Sequence, residues 1–90
     1  MEKVVLTAFG LDRPGVLGKI ATRIAEYNCS IVDATQTLLK DMFCLMIIFN
    51  IEGSNMKFND IKEKLELLGE ELGTKVFVQH ENVFRYMHRL

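Results

Sequence analysis

The chain has 90 residues, 49% of them hydrophobic, with a single proline and a net charge of -1 from 11 Lys+Arg against 12 Asp+Glu. That length makes one small domain, and that composition excludes a disordered chain. The balanced charge excludes a global basic field that would gather nucleic acid or an anionic membrane.

The first predicted element is a strand from Lys3 to Phe9, rich in β-branched and apolar residues. Gly10 to Gly15 reads as a turn. A helix follows from Pro14 to Tyr27, with Asp12 as its N-cap and Pro14 in its first turn, where a missing N–H costs nothing. Val16, Leu17, Ile20, Ala21, Ile24 and Ala25 form its buried stripe. Asn28 ends it, because Asn tolerates the left-handed conformation at a helix end. A second strand runs from Ser30 to Leu39, and Lys40-Asp41 reverses the chain into a third, from Met42 to Ile51. In that third strand Phe43, Leu45, Ile47, Phe49 and Ile51 occupy one face, and Cys44, Met46 and Ile48 the other. A strand apolar on both faces is central or covered on its outer side.

Gly53-Ser54-Asn55 is a loop. A second helix spans about Phe58 to Leu72, with Phe58, Ile61, Leu65, Leu68 and Leu72 on its buried side and Gly73 as its cap. Thr74 to His80 is a fourth strand, with Val76 and Val78 on one face and Phe77 on the other. The spacing of Val83, Phe84, Tyr86, Met87 and Leu90 suits a short terminal helix. The order predicts an α+β fold, a ferredoxin-like βαββαβ sandwich: a four-stranded antiparallel sheet with both helices on one face. The domain covers 1–90, with a core over about 3–80 and a tail over 81–90. The second sheet face keeps apolar side chains, which predicts a homo-oligomer.

The turn carries the principal site. A strand that turns into a helix presents unpaired backbone N–H groups to an anionic ligand group. Asp12 could pair with a ligand ammonium or simply cap the helix. Gly15 permits close backbone approach. Arg13 could steer an anion, although an exposed arginine beside a turn usually has no specific task. Thr35, Gln36 and Thr37 read as solvated or in a subunit contact, with a ligand role as the lesser reading. Asp33, unusual in a strand, faces a partner or a ligand in the functional reading. His80, Glu81 and His88 match no zinc spacing. Cys44 reads as a core thiol, whereas Cys29 near a helix end can be exposed, without activation from the negative helix terminus. No nucleophile–base set, paired carboxylates or phosphate loop is present, and the third strand lacks the basic and aromatic pattern of an RNA-binding sheet.

The strand and helix order, with Asp12-Arg13-Pro14-Gly15-Val16-Leu17 in the first connection, resembles an ACT domain over about Val4 to Gln79. The tail His80-Glu81-Asn82-Val83-Phe84-Arg85-Tyr86-Met87-His88-Arg89-Leu90 is similar to that of small stand-alone ACT proteins related to the regulator of the glycine cleavage system. The resemblance implies a homodimer that binds an amino acid between subunits and modulates a partner protein, with no enzymatic activity and no cofactor. It places the ligand at Gly10, Leu11, Asp12, Pro14, Gly15, Val16 and Leu17, with Cys29, Ser30 and Ile31 opposite. Members that bind serine tend to carry Asn where this chain has Asp12 and Ser30, so the resemblance does not name the ligand. The alternative is an interaction module of the same fold that no longer binds a ligand. No leader is visible, and the longest apolar run, Met42 to Phe49, is far below the roughly 20 residues of a membrane helix. The expected location is the cytoplasm, with no nucleic-acid and no membrane partner.

Overall fold

The computed structural model describes residues 2–11 and 13–87. Its elements are β1 (Lys3–Leu11), α1 (Val16–Glu26), β2 (Ser30–Leu39), β3 (Met42–Asn50), α2 (Phe58–Leu72), β4 (Lys75–His80) and α3 (Glu81–Met87). The strands form one antiparallel sheet in the order β2-β3-β1-β4. The βαββαβ order and the placement of α1 and α2 on one face agree with the sequence reading.

Alternation along the central strands decides what is buried. Val4, Leu6 and Ala8 of β1 stand in register with Phe49, Ile47 and Leu45 of β3, and Leu6 and Ala8 also with Val78 and Val76 of β4. All of these lie in the core beneath Val16, Ile20 and Ile24 of α1 and Ile61, Leu65 and Leu68 of α2. The α1 stripe is narrower than predicted, for Leu17 and Ala25 are exposed. Only every fourth residue of α1 meets the sheet.

Several ends differ from the sequence reading. β1 continues through Gly10 and Leu11, which pair with Phe43 and Met42, so the turn begins later than Gly10. Pairing with β3 outweighs the low strand preference of Gly. The helix begins at Val16, and its N-cap is Gly15, held at φ 85°. Pro14 precedes the helix rather than lying in its first turn, and Asp12, the predicted cap, lies outside the described residues. A left-handed residue just before the helix is what the chain needs there, and Gly supplies it without a Cβ penalty. The predicted stops hold: Asn28 has φ 61° and Gly73 has φ 70°. Lys40, in the hairpin turn, is also left-handed, at φ 58°.

The two sheet edges are unlike. At β4 the Glu66 carboxylate accepts the Val78 N–H at 3.1 Å, and Lys62 Nζ donates to the Val78 carbonyl at 3.0 Å. The two side chains, themselves paired at 2.8 Å, occupy the place a neighbouring strand would take. At β2 all ten residues are exposed. Glu66→Ala is therefore expected to cost about 1–2 kcal/mol by leaving the Val78 N–H unbonded. It should also open the β4 edge. Urea unfolding and light scattering measure both effects; an unchanged midpoint would show that the contact contributes nothing.

On the outer sheet face, α3 covers one end. Val5 there is 2% exposed, and Gln79 Nε2 reaches Met87 Sδ at 3.2 Å. The rest of that face presents Phe9 stacked on Phe77, with ring centroids 5.8 Å apart, and Met42. Cys44 also lies there, exposed. Cys44 is thus not the core thiol the apolar strand suggested. Its register partner Phe9 belongs to the uncovered face.

Candidate functional site

The turn after β1 leads directly into an α1 terminus that has no side-chain cap among the described residues and no acidic residue in its first turn. The first intrahelical bond is Lys19 N–H to Gly15 C=O at 2.9 Å. Among the described residues, nothing accepts from the N–H groups of Val16, Leu17 and Gly18. These donors and the positive end of the helix dipole are the chemistry an anionic group would meet.

Beside them lies a cleft of about 260 Å³, lined by Arg13, Pro14, Gly15–Gly18, Gln36 and Phe43. Gln36 stands opposite Leu45 in the β2–β3 register and so faces the helix side of the sheet. Its amide adds a donor and an acceptor across from the helix terminus. The sequence reading had Pro14, Gly15, Val16 and Leu17 here, gave Gln36 a ligand role only as the lesser reading, and did not name Gly18 or Phe43 as ligand residues. The alternation of β2, anchored by the hairpin register, is the signal that could have found Gln36. A wider groove of about 780 Å³ runs from Gly15 and Gly18 between α1 and α2, over Leu68 and Leu72.

The remaining predicted site residues divide by location. Gly10 is half-buried and Leu11 exposed at the end of β1, and Val16 turns its side chain into the core, leaving only its backbone available. Ser30 and Ile31 are exposed at the start of β2, in the rows of Asn50 and Phe49. The turn lies beyond the other end of the sheet, in the row of Leu11, Met42 and Leu39. Eight strand steps of ~3.3 Å separate the two groups by roughly 25 Å. Within one chain they do not meet.

Cys29 is buried, and its Sγ donates to the Tyr27 carbonyl at 3.7 Å. Burial pushes its thiol pKa up, against a lesser lowering by a hydrogen bond with Ser54, so it is a protonated packing residue and not an exposed one. Asp33 sits beside a β-bulge between Ile31 and Asp33, where its Oδ1 accepts the Ala34 N–H at 2.8 Å. That contact gives a local structural reason for an aspartate in a strand. The His80 ring stacks on Phe58 at 3.9 Å, with Nδ1 3.8 Å from Glu2 Oε2, while Glu81 pairs with Arg85 at 3.3 Å. His88 lies outside the described residues. Among the described residues no group of three His, Cys, Asp or Glu could hold a metal ion, and no helix is long and apolar enough to cross a membrane.

Comparison with known proteins adds to this geometry. Residues 2–79 match the family model of the ACT domain. A UPF0237 protein of Methanococcus maripaludis is 40% identical over 90 residues, spanning 100% of both chains. The structure is similar to that of an ACT domain protein from Streptococcus pneumoniae, with a TM-score of 0.81, 26% identity, and 92% and 93% of the two chains covered. It shares its fold with a protein named as a glycine cleavage system transcriptional repressor, at a TM-score of 0.77 and 24% identity, covering 88% of this chain and 45% of that one.

Proposed function

Since the chain belongs to the ACT domain family, whose members are regulatory domains, we propose that it senses a free amino acid or a similar small metabolite, held between two copies. Occupancy then alters the contact with a partner protein. The observation that carries this reading is the α1 terminus, without a side-chain cap among the described residues, opening on the Gln36 cleft. The ligand carboxylate is held by the N–H groups of Val16, Leu17 and Gly18. Gln36 takes its ammonium through the amide oxygen.

The unlike sheet edges supply the second copy. The β4 edge is blocked by Lys62 and Glu66, whereas β2 offers ten exposed residues. An antiparallel pairing of β2 with β2 of a second copy reverses the ends of that strand. It brings Ser30 and Ile31 of the second copy toward the end of the sheet that carries the turn. Residues that lie ~25 Å apart in one chain then flank one site. Signalling follows from a population shift, because a ligand acts only through different affinity for two states.

Calorimetric titration of the full chain with the common amino acids at millimolar concentration tests the reading, with the oligomeric state fixed by light scattering. Saturable binding of at least one is expected. A folded dimer that binds none of them would sink the sensor. That result would favour an interaction module without a ligand, for which the uncovered apolar face around Phe9 and Phe77 is the supporting observation.

A further inference from the structure

We propose that the outer sheet face joins a second copy of this chain, with α3 of each copy seated on the bare strip of the other. The contact is independent of ligand sensing. It also leaves the β2 edge, at the side of the sheet, open to pairing.

The face has two halves of opposite shape. α3 stands over the end that carries Val5 and Gln79, as a ridge one helix thick, ~10 Å. Beside it, the rows from Thr7 and Phe77 to Leu11 and Met42 form a strip that no helix covers among the described residues. Phe9 and Phe77 in that strip are 39% and 49% exposed although their rings stack on each other, and Met42 is 48% exposed. The ridge is apolar on its outer side as well. Val83, Tyr86 and Met87 stand at i, i+3 and i+4, one stripe of the helix, and are 48%, 78% and 59% exposed.

Charge narrows the occupant. From the row of Thr35, Met46, Thr7 and Phe77 to the row of Leu39, Met42 and Leu11, the outward side chains carry a single charge, Lys75 on β4. A charged peptide or a nucleic acid finds no complementary pattern there. Shape narrows it further, because a strip beside a ridge is matched by a strip beside a ridge. A copy turned about a two-fold axis that runs across the strands exchanges the two ends of the face. The two helices then lie side by side and complete one layer between two sheets. The area suffices. These six apolar side chains, about half exposed and about 200 Å² each, bring about 600 Å² per copy. A standard interface takes about 800 Å² per partner, of which about 65% is apolar in homodimers, or roughly 500 Å². A contact of this size with no charge pairs is reversible, with a Kd on the order of 10–100 µM. In dilute solution the face is open, so changes at Phe77 leave the fold of the single copy intact.

Sedimentation equilibrium of the full chain from about 1 µM to about 1 mM, a span that brackets this Kd, tests it. The mass is expected to double with concentration, from whatever state the chain has when dilute. Tyr86→Glu on the ridge and Phe77→Lys in the strip should each weaken the doubling by about 10-fold or more. Dilute thermal unfolding confirms that both variants fold. An equimolar mixture of the two should recover the doubling, because it keeps one intact ridge on one intact strip and brings Glu to Lys at the other contact. Cys44 gives a readout without substitution, since it is exposed in the strip while Cys29 is buried. Its labelling by a thiol reagent should slow by about 10-fold or more between the dilute and the concentrated end. Doubling that persists in both variants, a mixture that fails to recover it, or Cys44 reactivity that stays constant across it would place the contact elsewhere and overturn the proposal. A wild type that never doubles would overturn it too, and would leave the face to a different protein.

Discussion

Phe49→Ala is expected to remove about 3–5 kcal/mol of stability. Phe49 is 0% exposed, is among the largest fully buried side chains, and stands in register with Val4 on one side and Ile31 on the other. Its removal leaves a cavity beneath the helix layer that the central strands, bonded on both sides, have little freedom to close. A domain of this size has roughly 5–15 kcal/mol in all, so the variant should be near unfolding at 37 °C, with a melting temperature lower by roughly 15–30 °C. Thermal unfolding at fixed protein concentration checks it, because any second copy contributes by mass action. Phe77→Ala is the matched control. Phe77 is half exposed on the outer face, and its truncation should cost under about 1.5 kcal/mol. An equally large loss at Phe77 would show that the outer face is itself buried in an assembly.

The second large effect is a reversal of sign between two helical glycines. A Cβ on Gly69 of α2 would stand 2.5 Å from Val76 Cγ2 and 2.9 Å from the Thr74 carbonyl oxygen. One obstacle is backbone and the other a stiff β-branched side chain, so neither yields readily. Gly69→Ala gains about 1 kcal/mol of helix propensity but meets an overpacking cost of about 1–3 kcal/mol, with a close backbone contact placing it at the upper end. A net loss of about 1–2 kcal/mol is expected, with β4 pushed away from α2. Gly18 of α1 has nothing within 4 Å of a Cβ position. Gly18→Ala should therefore gain about 0.5–1 kcal/mol. Urea midpoints of the two variants decide the matter, and two shifts of the same sign would contradict the packing described for Gly69. Gly69 also explains why α2 lies so close to β4 that Lys62 and Glu66 can reach Val78.

Much of the fold was legible in the chain, and the reason is local. Period-two alternation in Met42–Asn50 and period-3.6 spacing in Phe58–Leu72 are consequences of backbone geometry that each segment carries by itself. Asn28 and Gly73 were readable as helix ends because left-handed φ restricts residue type. The turn was readable as the approach to a helix terminus, but not the residue that caps it. The left-handed backbone at Gly15 marks the start, a conformation that the spacing of apolar residues does not announce.

The candidate site was legible only on the side contributed by the turn. Gln36 and Phe43 come from other strands, at sequence separations over which no periodicity runs. The two cysteines show the same limit. Cys29 looked exposed and is buried, while Cys44 looked buried and is exposed, since an apolar strand does not state which of its faces the helices cover.

The sequence by itself determined the order and type of the elements, the face on which each side chain stands, and the family to which the chain belongs. Those properties follow from short-range sterics and from patterns within single segments. Only the tertiary structure decided that β4 is sealed by Lys62 and Glu66 while β2 is bare, that Ser30 and the turn lie at opposite ends of one sheet, and that the Thr74 hydroxyl is buried beside Gly10 with no partner among the described residues. Each of these depends on contacts between segments distant in sequence, fixed by the order in which strands pair and by how closely helices approach the sheet. No residue pattern within either segment encodes such a contact.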